Sequence, residues 1–109
     1  MTDLSYPTRQ VILLAIEYEH LWGGDPISWR EWAGRLHPKL SSDSAERRWF
    51  RFWQRLAKLG IEFETIPSGP VPTMLDPWRR RLTRSGRARV WALAEELDEW
   101  LLSKGAACD

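Results

Sequence analysis

Between Ser41 and Gly60 the chain reads SSDSAERRWFRFWQRLAKLG. At about 100° of helical turn per residue, these residues sort onto two faces. Arg47, Arg48, Arg51, Gln54, Arg55 and Lys58 fall on one side, and Trp49, Phe52, Trp53, Leu56 and Leu59 fall on the other, with Phe50 and Ala57 at the margin. An apolar stripe of that width has to dock onto a core, which turns the basic side outward. Ser42 or Asp43 is the expected N-cap, Glu46 follows Asp43 at capping-box spacing, and Gly60 is the expected stop. The rest of the chain must therefore supply a partner surface for a long aromatic helix face while leaving its arginines in solvent.

A helix that is aromatic inside and arginine-rich outside suits phosphate binding. Exposed helix faces usually mix charges for i,i+4 pairing, and the bland alternative is a solvated surface helix. Here no acid interrupts the face from Arg47 to Lys58, which points to nucleic-acid contact. The net charge of +1 conceals strong segregation. Residues 28–58 hold eight Lys/Arg against three Asp/Glu, and residues 76–90 hold six arginines against one aspartate. The remaining blocks are acidic, so the distribution matters more than the total.

With 109 residues, 43% hydrophobic and 28% charged, the chain reads as one folded domain spanning residues 1–109. Most of its eight tryptophans are expected in the core. Cys108 is the single cysteine, so no intramolecular disulfide is expected and a reducing, cytoplasmic setting is the default. Neither a signal peptide nor a membrane-spanning apolar run is legible, so no membrane association is expected.

Taken in order, Ser5 and Pro7 suit the start of a first helix over about residues 8–22, with Val11, Ile12, Ala15, Ile16 and Tyr18 inside and Gly23-Gly24 as the stop. Ser28 with Glu31 forms a capping-box pattern opening a short second helix, which Pro38 closes. A short helix, a short link and a longer basic helix make a helix-turn-helix over about residues 28–59. Residues 61–66 (IEFETI) alternate as a strand, a loop bearing Pro67, Gly69, Pro70 and Pro72 follows, and after Asp76-Pro77 residues 78–83 (WRRRLT) return as a second strand. There Trp78, Arg80 and Leu82 share one side and Arg79, Arg81 and Thr83 the other; the hairpin, about residues 61–83, would be a wing. Thr83 or Ser85 caps a last helix over about residues 84–103. That helix carries arginines in its first turns and acids later, which opposes the macrodipole and suggests a nearby polyanion.

Two segments then carry a family resemblance: Arg55-Leu56-Ala57-Lys58-Leu59-Gly60-Ile61-Glu62 at the exit of the third helix, and Arg81-Leu82-Thr83-Arg84-Ser85-Gly86-Arg87-Ala88 at the entry to the last. In their order and spacing they resemble bacterial winged helix-turn-helix transcriptional regulators of the MarR/PadR-like kind. The resemblance implies a mainly α fold of four helices with a small two-stranded β-wing. It implies a third helix in the major groove and a wing on the backbone or minor groove of double-stranded DNA. It makes Arg47, Arg48, Arg51, Gln54, Arg55 and Lys58 the helix candidates, and Arg79, Arg80 and Arg81 the wing candidates.

Catalytic chemistry is not legible. His20 and His37 are isolated, without ligand-spaced partners, so no metal is expected, and no cofactor either. No spacing suggests an activated nucleophile, so the chain reads as a non-enzyme. The leading expectation is a duplex DNA-binding protein in transcriptional control. The alternative is a protein-docking adaptor on the same fold, for which Phe50 and Trp78 would form an exposed aromatic patch. A homodimer through the last and first helices is also expected, because both carry long apolar stripes.

Overall fold

Pro7 in the first turn and Gly23 after the last bound the first helix, α1 (Tyr6–Trp22). The computed structural model describes residues 4–67 and 78–108, with side chains through residue 104. After α1 come a two-residue strand β1 (Ile27–Ser28), α2 (Trp29–Leu36), α3 (Ser42–Lys58), β2 (Phe63–Ile66), β3 (Arg79–Leu82) and α4 (Arg84–Cys108). Helix dominates, as the 3.6-residue periodicity requires. The expected loop at Gly69, Pro70 and Pro72 and the restart at Asp76-Pro77 lie outside the described residues.

Local chemistry explains the boundaries. The α2 capping box forms: the Glu31 N–H donates to Ser28 Oγ at 3.4 Å, and the Ser28 N–H donates to Glu31 Oε1 at 3.4 Å. Of the two caps expected for α4, Thr83 is used, its Oγ1 accepting from the Gly86 N–H at 3.0 Å. Gly60 takes a φ of 77° just past α3, the left-handed backbone that a glycine tolerates at a helix exit.

Four sequence expectations are corrected. The sheet has three antiparallel strands in the order β1-β3-β2 instead of two, because Ile27 pairs with Arg80 and Ser28 with Arg79. Two residues carry no readable alternation, and Ser28 was already accounted for as a helix cap. The N-cap of α3 is Ser41, whose Oγ accepts from the Ser44 N–H at 3.3 Å, instead of Ser42 or Asp43. Three polar residues in a row could all cap, and the first one has the extended backbone. The first hairpin strand is shorter than 61–66, since Ile61 is spent on the core and the Glu62 carbonyl on the Thr83 N–H and hydroxyl. Finally, α4 continues past Ser103 to Cys108.

The core is aromatic. Trp49, Phe52, Trp53 and Leu56 of α3 are buried against Val11, Ile12, Ala15 and Tyr18 of α1, Trp32 and Ala33 of α2, and Val90, Leu93 and Leu97 of α4. Tyr18 stands edge-on to Trp53 at 5.4 Å between centroids and donates its hydroxyl to the Arg80 carbonyl at 3.4 Å. Burial pushes its phenol well above the ordinary tyrosine range. Helices α1 and α4 run antiparallel, pinned at one end by Arg9 over the Trp100 ring at 4.2 Å. At the other end Arg87 Nε meets Glu19 Oε1 at 2.7 Å. This packing closes the core behind α3 and leaves the opposite face of α3 open.

Candidate nucleic-acid interface

With Trp49, Phe52, Trp53 and Leu56 committed to the core, α3 presents Arg47, Arg48, Arg51, Gln54, Arg55 and Lys58 to solvent, as the helical spacing predicts. Arg47 donates its Nε to the Asp43 carbonyl at 3.4 Å, one turn back on its own helix. Among the described residues, no carboxylate lies within ion-pair distance of Arg48, Arg51, Arg55 or Lys58. Among the described residues, then, nothing of opposite charge answers these cations. At about 1.5 Å rise per residue, the row from Arg47 to Lys58 runs roughly 16 Å along the helix, the scale of several phosphate spacings.

One edge of this face borders a groove of about 360 Å³ between α1, α2 and α3. Its floor is Val11, Leu14, Trp32 and Phe52, and its rim holds His37, Arg48, Arg51 and Arg55. The Trp32 Nε1 is buried there without an acceptor. His37 packs its ring against Trp32 at 4.9 Å between centroids. Partial burial, then the Arg48 charge, hold its pKa below the ordinary histidine value, against a smaller opposing pull from Glu17.

The three strand arginines are not equivalent. Arg79 and Arg81 are exposed on one side of β3, and each faces an internal acid: Arg79 lies 3.9 Å from Glu31, and Arg81 pairs closely with Glu64 across the β2–β3 ladder. Arg80 is half-buried on the other side. Its guanidinium sits over Phe63 at 5.2 Å, Phe50 at 5.5 Å and Trp53 at 5.9 Å, and desolvation lowers its pKa. Among the nine candidates, eight are therefore exposed, and Arg80 instead ties the sheet to α3.

Two of the three arginines in the first turns of α4 also have internal uses. Arg87 pairs with the buried Glu19, and Arg89 donates its Nε to the Leu59 carbonyl at 3.0 Å, answering the orphan carbonyls at the end of α3. The positions of Arg87 and Arg89 against the α4 dipole are thus explained by tertiary contacts, without a polyanion. The Glu19–Arg87 pair escaped the sequence reading because 68 positions separate its members. A faint signal existed: Glu19 lies one position beyond Tyr18 on the inward side of α1.

Among the described residues no cluster of three or more His, Cys, Asp or Glu could hold a metal ion, and no helix is long and apolar enough to cross a membrane. Comparison with protein-family models, with curated proteins and with solved structures finds no significant match to this chain.

Proposed function

We propose that the protein binds duplex DNA as a winged helix, with α3 in the major groove and the β2–β3 hairpin against the backbone or minor groove, in the service of transcriptional control. The observation that carries this reading is the face of α3: cations that have no counter-charge among the described residues, on a helix whose other face is locked into an aromatic core. Releasing counter-ions from phosphates favours such a surface and makes its affinity fall steeply with salt. Arg79 and Arg81 support the hairpin's part more weakly, because a phosphate has to displace Glu31 or Glu64 to reach them. The reading includes a homodimer through α4 and α1, supported by the exposure of Trp91, Leu101 and Leu102 on α4 and of Tyr6 and Leu13 on α1. A mobility-shift assay on mixed genomic duplex DNA over a salt series tests it. Micromolar or tighter binding that weakens steeply from 50 to 200 mM salt is expected, and no binding at low salt ends the proposal.

A second reading, a protein-docking adaptor, is favoured by one observation: Phe50 and Trp78 are 47% and 45% exposed. An adaptor would show no salt-sensitive affinity for DNA, so the same assay separates the two.

A further inference from the structure

Phe50 is one of the three rings that seat Arg80, yet that contact leaves much of the residue in solvent. The residue is 47% exposed, one turn from Arg47 on one side and from Gln54 on the other. Two turns on, Ala57 is exposed along the same edge. The outward face of α3 is therefore graded. The edge beside α1 and α2 carries Arg48 and Arg55, the centre carries Arg47, Arg51, Gln54 and Lys58, and the edge beside the sheet carries Phe50 and Ala57. The Phe50 ring is also held: the Arg80 guanidinium lies 5.5 Å from its centroid and is itself fixed over Phe63. A held apolar ring set among hydrogen-bonding side chains selects for an apolar feature on what it meets.

The floor of the major groove offers one such feature. Apart from the flat C–H edges of cytosine and the purines, the groups that the base pairs present there are hydrogen-bond donors or acceptors, which a phenyl ring leaves unsatisfied; the C5-methyl of thymine is the one that projects as an apolar knob. We infer that Phe50, together with Ala57, is the thymine-reading edge of α3, packing on a C5-methyl beside the base pairs that Arg47, Arg51 and Gln54 address. This rests on the duplex-DNA reading above. It makes Phe50 a specificity residue, while Arg48 and Arg55 on the far edge supply affinity without sequence preference.

The test uses uracil as thymine without its methyl. Duplexes are selected from a random library with the full chain, each thymine of the winning site is replaced in turn by deoxyuridine, and affinities are compared for the parent protein and Phe50→Ala. Losing the burial of one methyl group weakens the parent by roughly three- to fivefold at one or two positions. At the position that Phe50 contacts, the same replacement leaves Phe50→Ala unchanged, so the two effects are non-additive there, whereas a thymine packed on Ala57 keeps its sensitivity in the variant. Should Phe50→Ala fail to fold, Phe50→Gln gives the same comparison with a side chain that still spans to Arg80. Duplex binding that ignores every deoxyuridine, or loses the same factor in parent and variant at every sensitive position, overturns the thymine reading while leaving DNA binding intact. Failure to select any duplex overturns both.

Discussion

The carbonyl oxygen of Glu62 lies 1.9 Å from the point where a Cβ on Gly86 would stand. That carbonyl accepts from the Thr83 N–H at 3.2 Å and the Thr83 hydroxyl at 3.3 Å, so it cannot swing aside without undoing the N-cap region of α4. Gly86 is what lets α4 start directly against the backbone leaving α3. Gly86→Ala is expected to destabilise the fold by on the order of 3 kcal/mol, since overpacking against backbone cannot relax cheaply. Gly34, inside α2, is the counter-example, with no atom within 4 Å of its would-be Cβ. Gly34→Ala should stabilise by about 0.5–1 kcal/mol through helix propensity alone. Thermal melts of the two variants should move in opposite directions.

The Glu19–Arg87 pair predicts an asymmetry of its own. Glu19 is 6% exposed, and among the described residues its Oε2 has no partner and only Arg87 answers its Oε1. Arg87→Ala strands a buried carboxylate and should cost about 3 kcal/mol, the low end for a broken buried pair because Arg87 itself is half in solvent. Arg87→Ala combined with Glu19→Gln should recover part of that loss, because the stranded charge goes with its partner. Denaturant melts of the single and double variants measure it, and a double variant no better than Arg87→Ala refutes the account.

Much of this architecture was legible because its signals are local. The α3 face split is written in 17 residues at helical spacing, and the Ser28–Glu31 box needs only four. What stayed hidden depends on pairing at a distance. Strand β1 is two residues that become a strand only because β3 lies beside them. Arg80 is the instructive case: the alternation of β3 already put it on the side of Leu82, toward the core, yet its charge invited a DNA-facing role. Three aromatic rings supplied by other elements settle where its guanidinium rests.

On the DNA reading, charge removal should act unequally across the surface. Arg48→Ala and Arg55→Ala should each lower the slope of log affinity against log salt by about one, while Arg51→Ala should cost about 1–3 kcal/mol and relax specificity at the base pair it addresses. Arg81→Ala should do less, because Glu64 already engages that arginine. Splitting an exposed pair costs about 0.2–1 kcal/mol, so Glu64→Gln should tighten duplex binding by up to about fivefold. Fluorescence anisotropy over a salt series checks both, and unchanged affinity in the triple arginine variant would remove α3 as the reading helix.

His37 gives a pH signature. Its folded pKa lies below the ordinary value of 6.5, through partial burial and then Arg48. The unfolded chain therefore binds more protons in that window, and stability falls as pH drops through 6.5 toward the folded value. His37→Gln should flatten the dependence there while leaving the neutral-pH melt nearly unchanged. DNA phosphates placed near Arg48 would offset its repulsion, so on the DNA reading bound protein should lose less stability on acidification than free protein. Melts at pH 7.5 and 5.5, with and without duplex, check both statements.

The longest helix supplies the last prediction. α4 has 25 residues against 17 in α1, so its final turns run beyond the partner that buries Val90, Leu93 and Leu97. Leu102 there is 74% exposed, with Leu101 beside it, and Trp91 is exposed two to three turns earlier, next to His20 of α1. Single exposed leucines are ordinary, but apolar residues repeated along one helix end leave a strip that a second copy can cover. A stable two-fold interface buries about 800 Å² per subunit, and the exposed apolar residues of α4 and α1 are the surface this reading assigns to it. Sedimentation equilibrium should give a dimer at micromolar concentration, and Leu101→Glu with Leu102→Glu should raise its dissociation constant at least about tenfold, about 1.4 kcal/mol, without lowering the melting temperature of the monomer. A monomer mass that holds as concentration rises refutes the dimer and leaves the α1–α4 packing as the closure of a single-chain core.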